Sequence, residues 1–127
     1  RDRPHNITLS EYVQSIRIHF PELLLMADIS TMGEAIEAER LGFDCISTTL
    51  VGYTPYTKGQ CIDHKDYELL RELVSTISIP VIAEGNILTP DMARKCLEHG
   101  AHAVVVGGAI TRPQLITKRF IDGMKAD

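Results

Sequence analysis

The chain has 127 residues, 44% of them hydrophobic and 24% charged, which places it among folded globular chains and excludes a disordered tail. Thirteen lysines and arginines against seventeen acids leave a formal charge of −4, with no basic run able to follow a phosphate backbone, so no nucleic acid partner is expected. No apolar stretch approaches the roughly 20 residues that span a bilayer, and the opening Arg1-Asp2-Arg3-Pro4-His5 has no hydrophobic leader; no membrane partner and a cytoplasmic location are expected.

In chain order, Thr8 and Glu11 have capping-box spacing and lead into Tyr12, Val13, Ile16 and Ile18, so the chain opens in a loop running into a helix with no strand before it. Residues 23–29 form a short continuous apolar run ending near Asp28, the pattern of a parallel strand buried on both faces. Thr31 and Glu34 repeat the capping-box spacing before a helix carrying Ala35, Ile36, Ala38 and Leu41, which Gly42 closes. Residues 45–50 read as a second strand, and a polar loop from Gly52 to about Asp63 precedes a helix over residues 67–74. Residues 79–84 read as a third buried strand, and Thr89-Pro90-Asp91 opens a helix that Gly100 ends. Residues 103–106 give a fourth strand, Gly107-Gly108 the turn after it, and Thr111-Arg112-Pro113-Gln114 a last helix with Leu115, Ile116, Phe120 and Ile121 on one side.

Ala27-Asp28 can be laid over Ala83-Glu84 so that Leu41-Gly42 falls near His99-Gly100, which makes two related βαβ units. Repeated units of this kind build a parallel sheet with right-handed crossovers, and equal treatment of every strand favours closure into an α/β TIM (β/α)8 barrel. A whole barrel takes around 250 residues, so the chain is expected to be a fragment holding about half of one. The alternative is a homodimer of half-barrels, whose open strand edges would cover each other.

Barrel chemistry sits at the carboxyl ends of the strands and in the loops beyond them. Asp28 and Glu84 occupy that position on strands two apart and should share one mouth, where carboxylates can hold a sugar hydroxyl or move a proton beside a carbonyl. The plainer reading is that one of them caps the next helix or pairs with a lysine. Gly107 and Gly108 after an all-valine strand, with Gly85 after the previous one, have the layout of a barrel phosphate site, though glycines also simply close turns. Arg112 would complete an anion subsite there. The segment Tyr53-Thr54-Pro55-Tyr56-Thr57 either brings hydroxyls over the mouth or packs its rings against its own loop. His5, His19, His64, His99 and His102 lack ligand spacing, and Cys45, Cys61 and Cys96 are read as reduced, packed thiols; neither a zinc site nor a disulfide framework is expected.

Four stretches closely resemble one family, the bacterial N-acetylmannosamine-6-phosphate 2-epimerases: Leu25-Met26-Ala27-Asp28-Ile29-Ser30, Thr48-Thr49-Leu50-Val51-Gly52-Tyr53-Thr54, Val81-Ile82-Ala83-Glu84-Gly85-Asn86, and Val105 through Pro113. The resemblance covers essentially the whole chain, makes residues 1–127 the C-terminal half (strands five to eight) of a single barrel domain, and makes Arg1-Asp2-Arg3-Pro4 the loop after strand four. It implies conversion of N-acetylmannosamine 6-phosphate to N-acetylglucosamine 6-phosphate, in sialic acid and N-acetylmannosamine breakdown, without a cofactor. It further implies that Glu84 takes part in proton chemistry, that Asp28, Arg112, Thr49 and Tyr53 hold an amino-sugar phosphate, and that Gly85, Asn86, Gly107 and Gly108 bind its phosphate. The family's catalytic lysine belongs to an early strand without counterpart here, so the isolated chain is expected to be inactive. Competing readings are another phosphate-binding barrel, of the ribulose-phosphate epimerase or thiamin-phosphate synthase type, and a non-catalytic sugar-phosphate-binding half-barrel.

Overall fold

The structure, a computed structural model, describes residues 6–125. Residues 1–5, with the stretch resembling the loop after strand four, lie outside them. Helix α1 spans Leu9–His19. The Thr8 hydroxyl accepts from the Glu11 amide at 3.2 Å while the Glu11 carboxylate accepts from the Thr8 amide at 2.7 Å, so the predicted capping box is complete. Arg17, near its other end, donates to the carbonyls of Leu23 and Gly42 and to Asp44, tying α1 to the lower edge of the sheet.

Four parallel strands follow: β1 at Met26–Asp28, β2 at Cys45–Ser47, β3 at Val81–Glu84 and β4 at Ala103–Val105. Their order in the sheet is their order in the chain, with no reversal. A doubly wound sheet needs a reversal, whereas a sector of a barrel has none. Between them run α2 (Met32–Arg40), α3 (Glu68–Thr76) and α4 (Pro90–Glu98). After β4 come a four-residue helix α5 (Gly108–Thr111), which the sequence reading had as a simple turn, and α6 (Pro113–Lys125).

The strand register separates two faces. Ala27, Ile29, Ile46, Val81 and Ala83 point to the helices and form the core with Ala35 and Ala38 of α2, Leu70 and Leu73 of α3, and Cys96 of α4. Alanines on α2 let that helix sit close to the strands; Ile36, on its far side, stays half exposed. The opposite face carries Met26, Asp28, Ser47, Ile82, Glu84 and Val105, and it has no covering layer among the described residues: Met26 is 50% and Val105 40% exposed. The apolar side of α6 is equally bare, with Phe120 71% exposed. A crossover helix packs across the strand it follows and the next one, and no strand follows β4 among the described residues, so α6 has half a seat.

Candidate active site at the carboxyl ends of the strands

Asp28 and Glu84 are the last residues of β1 and β3, on the same face, with β2 between them. Thr49, two residues beyond the end of β2, joins them: its hydroxyl lies 3.0 Å from Asp28 Oδ1 and 2.9 Å from Glu84 Oε2. Ser47, fully buried, places its own hydroxyl 2.9 Å from the same Glu84 oxygen and 2.7 Å from that of Thr49. The plainer reading of the two acids is set aside by these contacts. The helix caps are Thr31 and Thr89, and among the described residues neither Asp28 nor Glu84 pairs with a lysine or arginine.

Thr48 faces the other way and holds the main chain of Glu84. Its hydroxyl donates to the Glu84 carbonyl at 2.7 Å and accepts from the Glu84 amide at 2.9 Å. The chain then turns through Gly85 at φ +97° and Asn86 at φ +55°, two successive left-handed residues. A Cβ on Gly85 would meet the carbonyl oxygens of Thr48 and Thr49 at 3.4 and 3.5 Å, so the missing side chain lets the β3 loop close over the end of β2.

A cleft of about 640 Å³ opens beside Glu84. Thr49, Tyr53, Glu84, Gly85 and Asn86 form one side, and Gly107, Gly108 and Arg112 the other. Asp28 is outside the lining and reaches it through Thr49. Gly107 caps α5, whose first amides, those of Gly108 and Ala109, have no carbonyl a turn earlier to bond, as at any helix start. The Arg112 side chain lies over Gly108, where a Cβ would sit 3.5 Å from its Cδ, and among the described residues it makes no ion pair. Eight of the nine residues that the sequence singled out therefore line one cleft, and the ninth is one hydroxyl away.

The tyrosine segment divides. Tyr53 donates to Asn86 Oδ1 at 3.1 Å over the cleft, whereas Tyr56 turns back to Glu34 at 2.5 Å. Glu34 does not complete the capping box expected of it. Thr31 accepts from the Glu34 amide, but the carboxylate takes the amide and hydroxyl of Ser30 instead, at 2.7 and 2.8 Å. Burial opposes its charge, yet the hydrogen bonds from Tyr56 and from the amide and hydroxyl of Ser30 hold the carboxyl below the usual glutamate range. Among the described residues no group of three His, Cys, Asp or Glu could hold a metal; His99 stacks against Tyr67 at 5.1 Å, and burial first, then Asp63, pushes the Cys96 thiol up to about 11.

Three contributors escaped the sequence reading. Ser47 ends β2 and Thr49 follows two residues on, a period-two spacing present in the predicted strand over residues 45–50. Thr48 gave no signal, because its role depends on where β2 stops. Arg119, seven residues after Arg112 and so on nearly the same side of the helix, lines the cleft and donates to the carbonyls of Leu88 and Ala109, strapping α6 to both loops.

The family described as "Putative N-acetylmannosamine-6-phosphate epimerase" matches residues 1–126. The chain belongs to this family. It is 56% identical over 126 residues to the Enterobacter sp. (strain 638) protein named "Putative N-acetylmannosamine-6-phosphate 2-epimerase", covering 99% of this chain and 54% of that one. The solved N-acetylmannosamine-6-phosphate 2-epimerase from Clostridium perfringens is 57% identical, with a TM-score of 0.82 over 96% of this chain and 52% of its own. The thiamine phosphate pyrophosphorylase from Pyrococcus furiosus follows at 25% identity and a TM-score of 0.62, over 97% of this chain and 58% of its own. The epimerase family is thus favoured over the thiamin-phosphate type by both measures. The chain spans about half the length of the curated epimerase relatives it matches, and its sequential parallel strands are those of half a TIM barrel.

Proposed function

We propose that this chain supplies strands five to eight of a cytoplasmic barrel enzyme that converts N-acetylmannosamine 6-phosphate to N-acetylglucosamine 6-phosphate. The enzyme is then N-acylglucosamine-6-phosphate 2-epimerase, an isomerase of N-acetylmannosamine and sialic acid breakdown. The observation that carries this reading is the seating of Asp28 and Glu84 on either side of Thr49, beside a cleft walled by glycine loops and Arg112. The names borne by relatives at 56 to 57% identity support the same substrate.

In the opened sugar C2 lies beside the C1 carbonyl, which acidifies its proton, so the reaction needs an acid/base group and stabilisation of an enediolate oxygen but no cofactor. Glu84 takes part in the proton chemistry, and Asp28, Thr49 and Tyr53 hold the sugar. The backbone amides of Gly85, Asn86, Gly107 and Gly108 cradle the phosphate, with Arg112 supplying its counter-charge. None of the five lysines lies on a strand; Lys65, Lys95 and Lys118 are paired with Glu68, Asp91 and Asp122. The 127-residue chain alone is therefore expected to lack turnover.

The test is a chimera in which this chain replaces the corresponding half of the Clostridium perfringens epimerase, incubated with N-acetylmannosamine 6-phosphate in D₂O. Turnover with deuterium entering C2 is expected, and its loss in Glu84→Gln. A folded chimera that binds the sugar phosphate but leaves the C2 proton in place would sink the reading. Arg112→Gln is expected to weaken phosphate binding while leaving the fold intact.

A further inference from the structure

Ser47, Thr49, Asp28 and Glu84 make four short oxygen contacts, at 2.7, 2.9, 2.9 and 3.0 Å. A hydrogen bond needs a proton between its oxygens, and each hydroxyl carries one. With both carboxylates ionised, two protons serve four contacts. Adding a single proton changes the count. If it sits on Glu84, an unbroken chain forms: Glu84 donates to Ser47, Ser47 to Thr49, and Thr49 to Asp28. If it sits on Asp28, the same chain runs in reverse, from Asp28 through Thr49 and Ser47 to Glu84. Both forms fill three of the four contacts and differ only in the direction of the two hydroxyls. The end oxygens are within 5.9 Å of each other, the two Thr49 contacts laid end to end, so no water is needed between them.

We infer that Asp28 and Glu84 form one proton-sharing unit, with the hydroxyls of Thr49 and Ser47 as the relay between them: Thr49 touches both carboxylates, and Ser47 links Thr49 to the same oxygen of Glu84. Transfer is balanced. Glu84 gives its proton to the hydroxyl chain, the chain gives one to Asp28, and the pair keeps a single negative charge throughout. The other charged groups at the cleft leave the unit to itself: Lys118 is paired with Asp122 and Arg119 is spent on two carbonyls, while Arg112 lies over Gly108 on the opposite wall. Burial of Ser47 and Thr48, the two residues before Thr49, fixes the backbone that carries the relay.

The use of this unit in turnover rests on the epimerase reading; its existence does not. Proton sharing is read from the 127-residue chain labelled with ¹³C in its carboxyl groups and titrated by NMR. In the parent chain each of the two protonation steps is expected to move both the Asp28 and Glu84 resonances. In Thr49→Val, which keeps the shape and loses the hydroxyl, each step is expected to move one resonance, and Thr49→Ser is expected to restore the shared pattern. Ser47→Ala provides a second variant, with sharing weakened. Parent resonances that titrate one per step, or sharing that survives in Thr49→Val, overturns the inference. In the chimera, Thr49→Val is expected to lower kcat about tenfold or more, and Thr49→Ser to recover it. An inactive parent chimera with shared titration sinks the epimerase reading alone, and an active one without sharing sinks the inference alone.

Discussion

Thr48→Val tests how the backbone places Glu84. The β2–β3 ladder runs from the Ile46 amide to the Pro80 carbonyl and from the Thr48 amide to the Ile82 carbonyl. In a parallel pair the next bond would go from the Glu84 amide to the Thr48 carbonyl. The Thr48 hydroxyl takes that amide instead, at 2.9 Å, and returns a bond to the Glu84 carbonyl at 2.7 Å. A side chain thus continues the sheet where the main chain leaves it, and the Thr48 carbonyl, lying against Gly85, accepts from the Val51 amide at 3.1 Å instead. Valine matches the shape and removes both bonds. One buried backbone group left without a partner costs about 1 to 3 kcal/mol; Glu84 is half buried, so water reaches part of it, and the sum falls at about 2 kcal/mol. With a urea slope of about 1 to 3 kcal/mol/M, the unfolding midpoint should drop by about 1 M at unchanged slope. Hydrogen exchange at the Glu84 amide should quicken about tenfold or more. Thr48→Ser, which keeps the hydroxyl, should lie between parent and valine variant. A Thr48→Val midpoint equal to the parent's, or above that of Thr48→Ser, refutes the reasoning.

Gly85→Ala places a side chain at φ +97° against two carbonyl oxygens, so urea unfolding should show a loss of about 1 to 2 kcal/mol, together with weaker phosphate binding as the loop opens. Gly100→Ala and Gly42→Ala share a left-handed cost of about 1 kcal/mol, but an alanine at 100 would also sit 2.7 Å from Val74 Cγ1 whereas nothing approaches one at 42; Gly100→Ala should therefore be the more destabilised, and Val74→Ala should bring the pair closer. Glu39 accepts from the Ser78 hydroxyl and the Ser78 and Ile79 amides, with Ser78 the main cause of a carboxyl held below its ordinary 4.5. A depressed native value means that this contribution is complete above 4.5 and is lost as pH falls through the native value. Glu39→Gln should flatten the acid limb of stability measured by thermal unfolding between pH 5 and pH 2, about the span over which carboxylates titrate.

Much of the fold was legible because each element carried its own punctuation. The caps at Thr8, Thr31 and Thr89 and the helix ends at Gly42 and Gly100 stand where the residue types put them, since each answers a local need of the backbone. The strands were read too long: residues 23–29 and 45–50 shrink to three paired residues each. An apolar run marks neither pairing nor burial on both faces: Leu23 and Leu24 are exposed ahead of the ladder, Met26 is exposed on its open face, and Ile29 stays buried after the ladder has ended. Glu34 was misread in its partner for a related reason. The capping-box spacing says that a carboxylate can reach the cap amide, but the Ser30 hydroxyl one residue earlier and the Tyr56 hydroxyl from a distant loop outbid Thr31.

The candidate site was marked in the sequence by its acids and glycines and, through the family resemblance alone, by Thr49 and Tyr53, whereas Ser47 and Thr48 went unmarked, and the difference is physical. A carboxylate at the end of an apolar strand and a glycine pair after a valine run are locally expensive, so their presence asks for a reason. A serine or threonine in a strand costs little and has many reasons to be there. What gives Ser47, Thr48 and Thr49 their roles is the register, which sets Ser47 level with Asp28 on one side and Ile82 on the other and so brings Thr49 between the two carboxylates. Register depends on both neighbouring strands at once, and no single stretch of sequence contains it. The same register places every apolar core residue of the strands on the helical face and both acids on the other. Substitutions among Ala27, Ile46, Val81 and Ala83 should therefore be felt as lost stability, and those among Asp28, Ser47, Thr49 and Glu84 as lost chemistry, with Thr48 alone, reaching from the buried face to the backbone of Glu84, belonging to both.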